Sequence, residues 1–324
     1  MELTNLADVP GYLFRTVIDD TRLAAALIAR VTYQITVDGS LTRTADQPWI
    51  LSSAPWDGPV GKMPSDQVFH RGGVDLFVFG HAWAPRQRPT AAMLIKLELS
   101  SGFKSQLAVF GDRVWVKQGR QLVASSPKPF VSMPLCLERA YGGKDVWDGL
   151  EIPFPSNPNG KGYYIAAEQA LGKSLPNIED PQHPIRNWND QPDPVGMGLC
   201  PFGFGPHVRE TVRFNDQGAM VELKPRFFNN AFPAMIAPQV VPGETVLLDG
   251  ASPDGALRFR VPPLELQMHL RVGQSELVRP LAIDQIGIEP ENKRVFVTYR
   301  FPFRYTLQPR EPRACILRAA GTAS

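Results

Sequence analysis

Two acid–base dipeptides, Asp112-Arg113 and Glu138-Arg139, lie within residues 110–144 of this chain. Carboxylates with guanidinium neighbours can serve a substrate as acid and base. They can also form a bidentate ion-pair network, here one that pins the intervening segment with Pro127, Pro129 and Pro134. The structural role is the favoured expectation. Trp115, Phe130 and Tyr141 belong to the same stretch and suit either interface anchoring or core packing. Gly142-Gly143 permits a backbone path or close approach that a Cβ would block.

Other chemistry finds little support. Gly142-Gly143-Lys144 lacks the upstream glycine of a phosphate-binding loop, since position 138 is Glu, and Asp145 follows the lysine. Gly203-Phe204-Gly205 lacks a third glycine, Val208 standing in its place, and no strand–helix–strand pattern surrounds it. Both read as turns. His70, His81, His183, His207 and His269 show no i, i+4 pair and no His/Cys cluster, so no metal is expected. Ser125 and Ser126 lie in no Gly-x-Ser-x-Gly elbow. The expectation is a protein without cofactor or catalysis.

The elements that must hold these residues are strands. Val31, Tyr33, Ile35 and Val37 alternate with Thr32, Gln34 and Thr36 as a half-buried strand, and Asp38-Gly39 turns the chain toward Leu41. Residues 74–79 are apolar on both faces except at Asp75, as in a central strand. Met93, Ile95, Leu97 and Leu99 alternate with polar and mixed neighbours. Trp115 and Leu122-Val123 flank a turn at Gly119. Between 151 and 210 fall ten prolines and seven glycines, with a single short helix expected at 166–171. Phe154, Tyr163, Tyr164, Trp188, Phe202 and Phe204 make that segment too aromatic for a floppy tether, so it is expected to pack. Further on, Leu264, Leu266, Met268, Leu270 and Val272 mark one face of a strand whose other face carries His269, and strands follow at 281–288 and around Val295, Val297 and Tyr299.

The 324 residues carry 34 basic and 32 acidic side chains, a net charge of +2, which offers nucleic acid or an anionic membrane no broad attractive field. Cys136, Cys200 and Cys315 are too few and too scattered for a disulfide framework or zinc site, and read as buried free thiols. The first residues lack a positive region followed by an apolar one, so a cytoplasmic location is expected. Residues 23–29 are apolar but too short to span a bilayer.

Several segments, in order and with their spacing, carry a resemblance: VDLFVFGHAWAP from Val74, FGDRVW from Phe110, SPKPFVSMPLCLERAYGG from Ser126, NPNGKGYY from Asn157, LPNIEDP from Leu175, RFFNNAFP from Arg226 and IDQIGIEPENKRVFVTYR from Ile283. On these the chain resembles the family known as domain of unknown function 2169, associated with bacterial type VI secretion. The resemblance implies a non-enzymatic adaptor or chaperone that helps load an effector onto the secretion spike, through a PAAR-like or VgrG-type protein. It adds Arg226, Phe227, Phe228 and Asn229 to the candidate structural or interface motif. Residues 208–225 depart from the family pattern, lacking its Ala-Gly-Thr-Tyr-Asp run and following Trp.

The expected architecture is mostly β. Two antiparallel sandwich-like modules, 1–150 and 226–324, are joined by a packed Pro/Gly-rich segment, 151–225. The partner is expected to be a protein, held by pairing with an exposed strand edge and by apolar burial. A hydrolase using the carboxylates of residues 110–145 on a carbohydrate, and an exported structural component of the spike, are the alternatives.

Overall fold

The computed structural model describes residues 1–263, 265–308 and 310–320, and within them strands dominate. The run Leu23-Ala24-Ala25-Ala26-Leu27-Ile28-Ala29, apolar without alternation, is the middle of one long strand, Arg22–Ile35, buried from Ala24 to Tyr33. Such a run fits a strand covered on both faces. The half-buried strand expected over Val31–Val37 holds in that Val31, Tyr33 and Ile35 are buried and Gln34 is exposed, but the strand ends at Ile35, Val37 is exposed, and Thr32 is buried as well. Thr32 is fully enclosed because Gln47 folds over it and accepts its N–H at 2.7 Å.

This strand is paired along its length by Arg294–Thr306, and on its other side by Gly11–Val17 and Leu41–Arg43. The sheet continues through Ala282–Glu289 to Val74–Val78 and Ile236–Ala237, with Ala282–Glu289 and Val74–Val78 parallel. Every residue of Val74–Val78 is buried, Asp75 included, as expected of a central strand. A second sheet runs Ile178–Glu179, Lys104–Phe110, Ala92–Leu99, Thr245–Asp249, Leu257–Arg260, antiparallel throughout. A third joins Leu3–Asn5, Arg313–Ala319, Leu266–Val272 and Ser275–Pro280. Leu266, Met268 and Leu270 are buried as the alternation predicts, while Leu264 lies outside the described residues.

The fold is mostly β, but its sheets cross the boundaries expected at 150 and 225. Each of the three larger sheets takes strands from both ends of the chain. Leu27, Leu76, Ile95, Leu97, Val246, Ile286 and Phe296 accordingly share one apolar core. The helix expected at 166–171 is Ala167–Ala170. A second, Gly205–Thr211, was hidden because Gly203-Phe204-Gly205-Pro206 reads as a turn, although proline suits a first helical turn. The thiols are free, but only Cys315 is buried and Cys136 is exposed. Among the described residues no helix is long and apolar enough to cross a membrane.

One feature of the core is ionic. Arg30 meets Asp66 at 2.6 Å, Arg71 lies between Asp75 (3.3 Å) and Asp284 (2.7 Å), and Arg300 reaches Asp284 at 2.9 Å. All six are buried. Gln285 bridges the groups, accepting from Arg30 and donating to Asp75 at 3.1 Å. A bulge between Ile283 and Gln285 sets Asp284 and Gln285 among these partners. Burial pushes the Asp284 carboxyl up, but Arg300 and Arg71 outweigh it and hold it below its usual value of 3.8. Its ionised form therefore contributes stability that is present above pH 3.8 and lost as pH falls through the lowered folded value. Asp284→Ala, which leaves the buried Arg300 without a carboxylate and Arg71 with Asp75 alone, is expected to cost about 3–5 kcal/mol in urea unfolding. The acid-unfolding limb between pH 3.8 and the folded value should flatten in the variant.

Candidate functional site

The stretch 110–144 is built onto the end of the strand Lys104–Phe110. A Cβ at Gly111 would stand 1.7 Å from the carbonyl oxygen of Lys128, so the proline segment lies directly on the chain there. Asp112 and Arg113 then diverge, as consecutive extended residues must. Arg113 turns inward and is 7% exposed. Its Nη2 donates to the Pro176 carbonyl at 2.7 Å and to the Glu179 carboxylate, while the guanidinium lies 4.0 Å over the Phe110 ring. The other Glu179 oxygen accepts the Ile185 N–H at 2.9 Å.

Asp112 turns outward, to Asn177 Nδ2 at 3.1 Å, Arg139 at 3.7 Å and Lys161 at 3.8 Å. The Asn177 hydrogen bond, with help from Lys161 and Arg139, holds its carboxyl below the usual range. The ion pairs thus join different partners from those that sequence adjacency suggests. Arg113 takes Glu179, Arg139 takes Asp112, and Glu138 is exposed. Asn177 and Glu179 are the central residues that sequence reasoning missed. Both lie in the quoted segment LPNIEDP from Leu175, whose signal was there without a partner to attach it to. Asn177 also donates from Nδ2 to the Phe110 carbonyl at 3.0 Å and accepts from Arg139 at 3.2 Å.

Trp115 and Tyr141 are core residues. They are 1% and 3% exposed and pack with Ala170, Leu175 and Ile185, so the Pro/Gly-rich segment supplies most of a second apolar cluster, as its aromatics required. Phe154, Tyr163, Tyr164 and Trp188 close around it. Phe130 is half-buried and exchanges backbone hydrogen bonds with Thr90 at 2.9 and 3.0 Å. Gly142, at φ +144°, brings the backbone against Asn157, whose carbonyl would be 2.1 Å from a Cβ at that position. The Gly143 N–H donates to this carbonyl at 2.8 Å.

The block from Arg226 to Asn229 is likewise anchored. Asn229 donates to Asp75 Oδ1 at 2.8 Å and to the Gly73 carbonyl at 3.0 Å, which ties it to the buried ionic cluster. Arg226 donates to the Pro233 carbonyl at 2.9 Å, and His207 Nε2 donates to the Arg226 carbonyl at 2.6 Å. Phe227 is half-buried, edge-on to Phe202 at 5.7 Å and to Phe228 at 5.4 Å. Phe228 and Phe202 reach the surface.

Beside them projects the hairpin Val212–Phe214 and Met220–Leu223. Asn215 Oδ1 caps its turn by accepting the N–H groups of Gln217 and Ala219 at 3.0 and 2.9 Å. Residues paired across a ribbon share a face. Arg213 and Glu222 form an ion pair at 3.4 Å on one side, while Val212 with Leu223 and Phe214 with Met220 occupy the other. That apolar side is uncovered, with Phe214 55% and Met220 57% exposed.

The family whose model matches residues 20–300 is described as an uncharacterized protein conserved in bacteria, domain of unknown function 2169. The chain belongs to this family. No curated protein and no solved structure matches it. In this member of the family, the matched region contains the Arg113–Glu179 pair, the second apolar cluster and the hairpin, and all but the last of the buried ionic groups fall well inside it.

The two halves of Asp112-Arg113 should separate cleanly in thermodynamic tests. Arg113→Ala strands the buried Glu179 carboxylate and is expected to cost about 3–5 kcal/mol by chemical denaturation. Asp112→Ala removes two ion pairs of an exposed carboxylate and one hydrogen bond from Asn177, whose Nδ2 keeps the Phe110 carbonyl, and should cost only about 1 kcal/mol.

Proposed function

We propose that this protein is a non-catalytic adaptor or chaperone. It binds a type VI secretion effector, or a PAAR-like or VgrG-type spike protein, in the cytoplasm and assists loading onto the spike. The observation that carries the reading is the uncovered apolar side of the hairpin Val212–Phe214 and Met220–Leu223. A lone two-stranded ribbon is marginal in water, and an unpaired apolar side gains most when a partner covers it. Phe202, 89% exposed, and Phe228, 38% exposed, add aromatic surface to the same region of the chain, and aromatic residues dominate protein interfaces energetically. The family resemblance supplies the secretion system and the class of partner.

The hydrolase alternative requires one carboxyl group raised enough to act as a general acid beside an ionised one. Asp112 is instead lowered by its hydrogen bond to Asn177 and by two cations, and Glu179, the buried carboxylate beside the motif, is committed to Arg113 and the Ile185 N–H. Both observations favour the adaptor.

Co-expression of the tagged chain with its neighbouring PAAR-like and candidate effector proteins, followed by size-exclusion chromatography, tests the reading. A stable complex on which effector solubility depends is expected. The double substitution Phe214→Asp with Met220→Lys should reduce complex recovery by about tenfold or more, while the unfolding free energy shifts by less than about 0.5 kcal/mol. An effector that is soluble and exported without this chain would end the proposal. Recovery of the chain itself in the medium would point to the exported structural component.

A further inference from the structure

The five-stranded sheet has an edge that its own last strand leaves half open. Lys104–Phe110 is paired along its whole length with Ala92–Leu99, but on its other side Ile178–Glu179 reaches only Ala108 and Val109. The alternation of an antiparallel ladder fixes which main-chain groups face outward. Phe110 N–H donates to the Asn177 carbonyl at 2.7 Å on the outer side. On the inner side, the Phe103 carbonyl accepts from Leu99 at 2.9 Å and Gly111 donates to Ala91 at 3.0 Å. Even-numbered residues therefore turn their N–H and C=O groups outward, and those of Lys104 and Gln106 extend beyond the reach of Ile178–Glu179.

The chain that would have covered them peels away. Asp180 accepts the Gln182 N–H on its side chain at 2.8 Å and the His183 N–H on its carbonyl at 3.1 Å, and Pro181 has no N–H to give. A groove of about 480 Å³ opens between the two segments. Its floor is apolar, with Leu107, Met197, Phe204 and Phe232 buried, the last two rings edge-on at 5.4 Å. Its walls are acidic. Asp180, Asp193 and Glu210 line it against the single cation Lys104. Arg209 occupies Asp193 at 2.7 and 2.8 Å and His183 Nδ1 meets Asp180 at 2.7 Å, while among the described residues neither Asp180 nor Glu210 has a lysine or arginine partner.

We propose that this groove takes an extended segment of a partner protein, alternating apolar and basic residues, as an added strand of the five-stranded sheet. The proposal rests on the adaptor reading and gives the bound segment its chemistry. Main-chain pairing with Lys104 and Gln106 supplies affinity. The apolar floor and the carboxylates of Glu210 and Asp180 select the side chains. The open edge is about four residues long, so the guest strand spans roughly 13 Å.

A short blocked peptide of alternating Val and Lys, labelled for fluorescence polarisation, is the probe, with an alternating Val and Glu peptide as control. The Val/Lys peptide is expected to bind the isolated chain and to slow hydrogen exchange at the Lys104 and Gln106 amides, while the Val/Glu peptide does not. Gln106→Pro removes an outward N–H that the fold does not use and is tolerated on a strand edge, so unfolding should be unchanged while affinity falls about tenfold or more. Glu210→Lys should weaken binding in the same direction.

Equal binding by the Gln106→Pro chain, by the Val/Glu peptide, or no binding at all overturns the proposal. Failure of the groove and failure of the adaptor reading are distinguishable. Partners that still co-purify with Gln106→Pro but not with the hairpin variant leave the adaptor standing without the groove. Peptide binding as described, with no neighbouring protein ever co-purifying, leaves the groove without the adaptor.

Discussion

Three arginines and three aspartates sealed against one another govern this fold: Arg30, Arg71 and Arg300 with Asp66, Asp75 and Asp284. Removing each charge from water is costly, and the cost is offset only when every partner arrives in its place. The partners come from the long strand Arg22–Ile35, the loop and strand around Asp66 to Asp75, and the strands Ala282–Glu289 and Arg294–Thr306. Asn229 fastens the Arg226 block to the same cluster. A one-residue slip of any contributing strand would turn its charged group to the wrong face, so the cluster specifies register as well as adding cohesion.

A smaller arrangement of the same kind shapes residues 110–144. There the buried Arg113–Glu179 pair and the Asn177 amide fix the Pro/Gly-rich segment against the strand Lys104–Phe110, and Trp115 and Tyr141 share an apolar cluster with Leu175 and Ile185. Arg113, one of the side chains that first suggest chemistry, is thereby part of the scaffold. What the scaffold leaves over is surface: a ribbon with one uncovered apolar side, and a sheet edge whose covering chain turns off at Pro181.

Legibility in the sequence followed range. The central strand Val74–Val78, the alternation from Leu266 to Leu270 and the turn at Gly39 were readable because burial period and turn chemistry are local properties. The packed character of the Pro/Gly-rich segment was readable from its aromatics. Partners were not: Arg113 finds Glu179 across 66 positions and Arg71 finds Asp284 across 213, and no periodicity encodes such pairings. Asp112 beside Arg113 even misleads, since adjacency along an extended chain places the two on opposite sides. The division into halves failed to anticipate the sheets for the same reason. Gly205–Thr211 was missed because a glycine–proline opening suits a turn and a first helical turn equally.

The pairing of Arg22–Ile35 with Arg294–Thr306 has a consequence for how the molecule comes into being. On a ribosome, the earlier strand emerges long before its neighbour exists and must wait while all the residues between Ile35 and Arg294 are made. Closing so long a loop carries an entropic cost that only the finished sheet repays, which makes assembly a late, slow event dominated by distant contacts. Until then an apolar strand whose Arg294–Thr306 side is bare is open to any chaperone that meets it. A protein proposed to shelter others during delivery is thus itself a substrate for shelter at birth.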